Sequence, residues 1–210
     1  MSILNEISEF LQKGRSPKVK ELVAQAIEQG ISPKEILEDG LLSGMDVVGK
    51  KFKANEVFVP EVLIAARAMN AGITVLKPHL IQEGVESKGT VILGTVKGDL
   101  HDIGKKLVQM MMEGKGLRVI DLGVDVSAEA FVSAAKEYNA DIVACSALLT
   151  TTMGEMKAVV DQIKDSGLDH VKVMVGGAPV TQSFCESIGA DCYTPDAASA
   201  AEAALSICCA

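Results

Sequence analysis

From Thr90 to the C-terminus, short runs of β-branched and apolar residues alternate with longer stretches of helical periodicity, and this alternation restricts the fold more than any other feature of the chain. The runs are Thr90–Val96, Arg118–Leu122, Asp141–Ser146, Val171–Val175 and a weaker Asp191–Tyr193, with helix-like segments near 103–115, 127–138, 152–166, 181–188 and 196–208. Strand followed by helix, repeated, predicts a parallel sheet covered on both faces, a doubly wound (Rossmann- or flavodoxin-like) α/β domain of five strands. In such sheets ligands sit beyond the carboxyl ends of the strands.

Residues 1 to about 81 follow a different pattern. Ile3, Ile7, Phe10 and Leu11 recur at helical spacing. Ser16-Pro17 and Ser32-Pro33 each place a hydroxyl at an expected N-cap and a proline at the first helical position. Ser32-Pro33-Lys34-Glu35 also fits a capping box. The second helix carries Val19, Leu22, Val23, Ala26 and Ile27 to a stop at Gly30, and the third runs from Pro33 to about Phe52. Gly40, Gly44 and Gly49 weaken that third helix by roughly 1 kcal/mol each. A fourth opens at Val59-Pro60-Glu61 and continues to about Leu80, so four helices with short connections predict a small bundle. The polar stretch Gln82–Gly89 is the expected linker, giving a helical domain over 1–88 and a second domain over 89–210.

At 48% hydrophobic and 23% charged, the chain has ample material for packed cores. Aromatics at 3% offer no stacking platform, and a net charge of −8 opposes binding to a phosphate backbone, so nucleic acid is excluded as a ligand. No uninterrupted apolar run approaches the roughly 18 residues of a membrane span, and no signal-like N-terminus is seen. Cys145, Cys185, Cys192, Cys208 and Cys209 form no Cys-x-x-Cys pair, so neither a disulfide framework nor a zinc knuckle is expected and the five get no role. A reducing cytoplasm is the expected setting, with no membrane partner.

The chemistry is concentrated after the first strand, in Gly98-Asp99-Leu100-His101-Asp102-Ile103-Gly104. An imidazole there can bind a metal through one ring nitrogen while a carboxylate holds the other, and Asp99 is placed to be that carboxylate. Read alone, His101 is equally a surface residue beside capping aspartates. The other strand ends add Ser146-Ala147-Leu148-Leu149-Thr150-Thr151-Thr152, a cluster of hydroxyls, and Gly176-Gly177, where backbone can approach a flat ligand. A slot lined by small residues and hydroxyls, with one histidine at its mouth, follows. Phosphate-loop and dinucleotide fingerprints are missing, and so is a Ser/His/Asp or Cys/His nucleophile system.

Gly-Asp-Leu-His-Asp-Ile-Gly resembles the Asp-x-His-x-x-Gly signature of cobalamin-binding domains, with Ser146-x-Leu148 and Gly176-Gly177 matching its companion motifs in order. The helical region, with Phe52, Val59-Pro60-Glu61 and Ala66-Arg67-Ala68-Met69, resembles the cap of methyl-carrying corrinoid proteins of methylamine, betaine and methanol systems, and of the cobalamin-binding region of methionine synthase. The resemblance implies that His101 replaces the corrinoid's own benzimidazole as lower ligand to cobalt (His-on, base-off), with Asp99 and Thr152 extending a hydrogen-bonded relay. Thr152 stands where a relative has serine. Gly98, Leu100, Asp102, Gly104, Ser146, Leu148, Thr150, Gly176, Gly177, Tyr193 and Ala197 would contact the cofactor or its buried tail. Phe52 and Val59 would shield a methyl group on the upper face, or else serve only as core.

The same resemblance implies a methyl carrier rather than a stand-alone enzyme. Methylcobalamin would form at the expense of a methylamine or quaternary amine such as a betaine. The implied partners are a substrate-specific corrinoid methyltransferase, a second methyltransferase passing the methyl to tetrahydrofolate or coenzyme M, and a reductive activase. Three alternatives share features. A radical mutase module needs a large barrel for which this chain has no room, and a corrinoid-dependent sensor needs a DNA-reading helix pair and basic surface. An FMN or phosphoryl-accepting domain should not combine His101, Ser146-x-Leu148 and Gly176-Gly177.

Overall fold

A computed structural model describes residues 2–84 and 86–209. It divides into two compact units, Met1–Glu86 with Gly114–Gly116, and Ser87–Glu113 with Leu117–Ala210. Val85, inside the expected linker, lies outside the described residues.

In the first unit, α1 (Ile3–Gln12), α2 (Ser16–Glu28), a continuous rod of α3 (Pro33–Glu35), a π-helical segment (Ile36–Leu42) and α4 (Ser43–Lys53), and α5 (Val59–Gln82) follow one another. The predicted four-rod bundle is present, with two local differences. Ser16 is the first helical residue rather than the cap, Arg15 stands at the cap, and no side chain bonds there. Ser32 does cap, accepting from the Glu35 N–H at 3.2 Å. The third rod widens into π-helix where Gly40, Leu41 and Leu42 are all buried in succession. A regular α-helix turns about 100° per residue and cannot aim three consecutive residues inward, so the wider turn reconciles the sequence with the core. Gly40 and Gly44, expected only to weaken the rod, are where α1 lies against it. A Cβ at Gly44 would stand 3.1 Å from the Ser8 Cα, and one at Gly40 3.2 Å from the Ile7 Cγ2.

No uninterrupted apolar run of that length is present, yet α5 as a whole is long and apolar enough to cross a bilayer by length and composition, because Arg67 and Lys77 interrupt its apolar character without cancelling it. It buries Val62, Ala65, Ala66, Ala68, Met69, Gly72 and Leu76 within the unit, the pattern of a core helix.

The second unit is the predicted doubly wound sheet. Strands β1 (Thr90–Thr95), β2 (Arg118–Asp121), β3 (Ile142–Ser146), β4 (Lys172–Gly176) and β5 (Cys192–Tyr193) lie in the order β2-β1-β3-β4-β5. Each adjacent pair is parallel. The connecting helices are α6 (Ile103–Glu113), α7 (Ala128–Glu137), α8 (Met153–Asp165), α9 (Gln182–Ile188) and α10 (Ala197–Cys208). On one face Ile92, Val143, Val173 and Val175 pack with Phe131 of α7 and Met156, Val159 and Val160 of α8. Alternation sends Val91, Leu93 and Met174 to the opposite face, where α6 and α10 lie together. The strand order reverses between β1 and β3, so the crevice for a ligand opens past their carboxyl ends.

All five cysteines are free thiols. Cys145 lies within the core on β3, where burial pushes its thiol far above the ordinary range, whereas Cys209 is exposed. A thiol reagent applied to the native protein is expected to modify Cys209 first and Cys145 only as fast as the sheet opens, followed by mass spectrometry of the labelled peptides.

Candidate functional site

Strand register brings the expected site residues to one edge. Thr95 pairs with Ser146 and Ser146 with Gly176, placing the last residues of β1, β3 and β4 in one row; Tyr193 lies beside Val175 at the end of β5. Each is followed by a loop: Val96–Asp102 after β1, 147–152 after β3, Gly177–Thr181 after β4 and 194–196 after β5.

At the centre is Asp99, whose side chain is fully buried. Its Oδ1 accepts from the His101 Nδ1 at 2.7 Å and from the His101 backbone N–H at 3.1 Å. Its Oδ2 accepts from the backbone N–H of Leu148 at 2.8 Å, of Leu149 at 3.2 Å, and from the Thr152 hydroxyl at 2.9 Å. Burial alone would raise the carboxyl's pKa. The Leu148 N–H, the two His101 contacts and the Thr152 hydroxyl outweigh it and hold the group far below the ordinary carboxylate range. The carboxylate is therefore an acceptor only. The proton between it and the imidazole belongs to Nδ1, which leaves Nε2 as the ring nitrogen not engaged by Asp99. The His101 side chain is 51% exposed, so that nitrogen is within reach of a ligand. The Thr152 hydroxyl also lies 3.0 Å from the Leu149 carbonyl, and its single proton is shared between the two acceptors.

Around the histidine, Leu100, Ile103, Leu148 and Leu149 are all exposed, an apolar rim beside one imidazole. Leu100 and Leu148 were expected from the motifs; Ile103 and Leu149 were not, although Leu149 sits beside a motif leucine and Ile103 inside the Asp-x-His-x-x-Gly run. Glycines make two different contributions. Gly177, at φ +133, would drive a Cβ to within 1.9 Å of the Ala147 carbonyl oxygen, so it is required by the backbone itself. At Gly176 a Cβ would meet only the Thr194 carbonyl at 3.9 Å, and at Gly104 nothing within 4 Å, leaving free space on the ligand side.

Other expected residues stand apart from this network. Asp102 is engaged by Lys106, Thr150 is exposed and is not among the donors to Asp99, and Ala197 is buried at the start of α10. Phe52, near the end of α4, and Val59, first in α5, are half-buried residues of the helical unit. Between them Phe58 is its most exposed aromatic, unmarked by any motif. The buried Lys105 was also missed: it bonds Asp121 and the Gly123 carbonyl, tying α6 to the end of β2. Its place three residues beyond the expected Asp102, in a helix with an apolar stripe, gave no sign of an ion pair.

The fold and site together define a doubly wound ligand-binding domain that offers a single carboxylate-tethered imidazole, preceded by a helical unit. The B12 binding domain model matches residues 89–205, and a second model, also described as B12 binding domain, matches 3–77. The chain belongs to the B12-binding corrinoid proteins. A corrinoid protein of Desulfitobacterium hafniense is 41% identical over 211 residues, covering 99% of this chain and 98% of that one. Trimethylamine corrinoid protein 1 of Methanosarcina mazei is 45% identical over 191 residues, 88% of each chain. A chain in the crystal structure of the methanol:cobalamin methyltransferase complex of Methanosarcina barkeri superposes with a TM-score of 0.89 at 33% identity, covering 98% of this chain and 79% of that one.

The residues present fit a corrinoid. A flat macrocycle matches the apolar rim, and a cobalt centre matches an imidazole whose second nitrogen is already committed to a carboxylate. Asp99→Asn is expected to disrupt this arrangement, because an amide can turn its NH₂ only toward Nδ1, moving the ring proton to Nε2, or toward donors with no acceptor to give. Its stability deficit carries a sign. With the native pKa depressed, the carboxylate's stabilisation is fully present above the unfolded value of about 4 and is lost as pH falls from there toward the native value. In urea unfolding, the gap between wild type and Asp99→Asn should be wide at neutral pH and narrow progressively below about pH 4; a gap constant with pH would mean that the carboxylate is not held ionised.

Proposed function

We propose that this chain is a methyl carrier: it holds a corrinoid with His101 as the lower ligand to cobalt and presents it to methyltransferases. The observation that carries this reading is the buried, five-fold hydrogen-bonded Asp99 carboxylate fixing Nδ1–H of His101 and so freeing Nε2. Bound there, the corrinoid supplies a cobalt centre that accepts and releases a methyl group.

The chain's own residues have distinct parts in this reading. Asp99 sets the tautomer and holds the ring so that Nε2 is the nitrogen left to bind. Thr152 and the Leu148 and Leu149 N–H groups keep Asp99 anionic. Leu100, Ile103, Leu148 and Leu149 cover apolar ligand surface. Ser146, Thr150, Gly176, Gly177, Tyr193 and Ala197 are proposed to line the tail's channel, with Gly98, Asp102 and Gly104 shaping the loop under the ring. Phe52 and Val59 are proposed as the helical unit's shield for the methyl group.

A trimethylamine corrinoid protein among the relatives supports a methylamine as the donor. The proposed partners are a substrate-specific methyltransferase, a second one serving a folate or thiol acceptor, and a reductive activase. Reconstitution with hydroxocobalamin, reduction, and pairing with methyltransferases for tri-, di- and monomethylamine or betaine tests this directly. Methylation of the bound corrinoid is expected with one of them. His101→Ala should retain some corrinoid yet lose the visible spectrum of the histidine-ligated methylated form; an unchanged spectrum would remove His101 from its role.

A further inference from the structure

The backbone of the loop that carries His101 is held by two residues that no motif marks, one at the end of β1 and one in the segment after β2. Thr95, fully buried at the end of β1, donates its hydroxyl to the His101 carbonyl at 2.8 Å. Asp125 accepts the Gly98 N–H on its Oδ1 at 2.7 Å and donates its own N–H to the Asp99 carbonyl at 3.0 Å. Together with Asp99 N–H to the Val96 carbonyl at 3.1 Å and His101 N–H to the Asp99 carboxylate, these bonds occupy the polar backbone groups that fix the path from Gly98 to His101.

The holder is itself rigid. Thr95 donates its N–H to the Gly123 carbonyl and accepts from the Val126 N–H, each at 3.0 Å, so the segment bearing Asp125 is laced to the strand on both sides of it. Gly123 is fixed further by Lys105 on its carbonyl and by the Asp121 carboxylate on its N–H. Asp125 adopts φ +56, a left-handed conformation that side-chain-bearing residues disfavour. A residue held in that conformation, with both its carboxylate and its N–H on the histidine loop, is strain located beside a functional group.

We infer that Thr95 and Asp125 are positioning residues: they clamp the main chain of the Gly98–His101 loop so that Nε2 of His101 is held at the place where the corrinoid's cobalt must meet it. The inference rests on the reading of His101 as lower ligand. Asp99 governs which nitrogen is free; the clamp governs where that nitrogen lies. Removing a hydrogen-bonded partner one step from a metal ligand typically weakens metal binding by ten- to a hundred-fold.

The test uses the full-length protein labelled with histidine carrying the heavy nitrogen isotope, loaded with hydroxocobalamin and reduced to cobalt(II). Electron paramagnetic resonance then distinguishes coordination by the labelled histidine from coordination by the corrinoid's own unlabelled base. Wild type, Thr95→Ser and Asp125→Asn keep the needed hydrogen-bonding atoms and should display labelled-nitrogen coupling. Thr95→Val and Asp125→Gly should lose most of it and bind hydroxocobalamin on the order of tenfold more weakly. Asp125→Gly is the sharper variant, since glycine relieves the left-handed strain and a purely structural role would leave the variant as stable as wild type and its coupling intact. Melting of the unloaded proteins by circular dichroism identifies any variant that fails to fold, in which case the other pair decides. Wild-type coupling in folded Thr95→Val and Asp125→Gly, with coupling abolished in His101→Ala, would overturn the clamp and leave the ligand assignment standing. Wild-type coupling in His101→Ala would overturn the ligand assignment itself.

Discussion

A single buried, ionised carboxylate is the constraint around which the second unit is arranged. Asp99 can remain anionic inside the protein only because five donors converge on it, and those donors come from three places: the histidine two residues ahead, the loop after β3, and the cap of α8. Remove the sheet and they disperse. The parallel register that sets Thr95 beside Ser146 is what brings the loop after β1 within hydrogen-bonding distance of the loop after β3. The site is thus a consequence of the strand order, and the reversal of that order between β1 and β3 gives the two loops a crevice to share.

From this follows a division of tasks between side chains and backbone. Side chains select the proton: Asp99 accepts, His101 donates through Nδ1, and Thr152 completes the carboxylate's shell. Backbone supplies shape. Gly177 is required because any Cβ there would overlap the Ala147 carbonyl, while a Cβ would meet nothing within 4 Å at Gly104 and only the Thr194 carbonyl, at 3.9 Å, at Gly176. An apolar rim around a polar centre suits a ligand with a flat hydrocarbon face and a metal at its middle.

Much of this was legible in the sequence because it depends on periodicity and on residue type. The strand-helix alternation located each element to within a few residues, the Asp-x-His pair identified Asp99 and His101 as partners, and the resemblance to cobalamin-binding domains implied Thr152 as the third. What remained hidden lies in features that carry no residue signature. The Leu148 and Leu149 donors are backbone N–H groups, which any residue except proline possesses. Asp125 and Thr95 read as an ordinary loop acid and an ordinary strand threonine until the β1 and β2 ends are set side by side. In the helical unit, the π-helical turn at Ile36–Leu42 follows from three successive buried residues, a condition visible only once burial is known. Ser16 was misread as a cap because a proline at either of the first two helical positions leaves the same sequence trace.

The most direct measurement is a crystal structure of the corrinoid-loaded protein at a resolution that separates the two imidazole nitrogens. Nε2 of His101 bonded to cobalt, with Nδ1 still on the Asp99 carboxylate and the corrinoid's benzimidazole displaced, is the predicted result. A benzimidazole remaining on the metal, or a histidine bound through Nδ1 with the Asp99 contact broken, would contradict it.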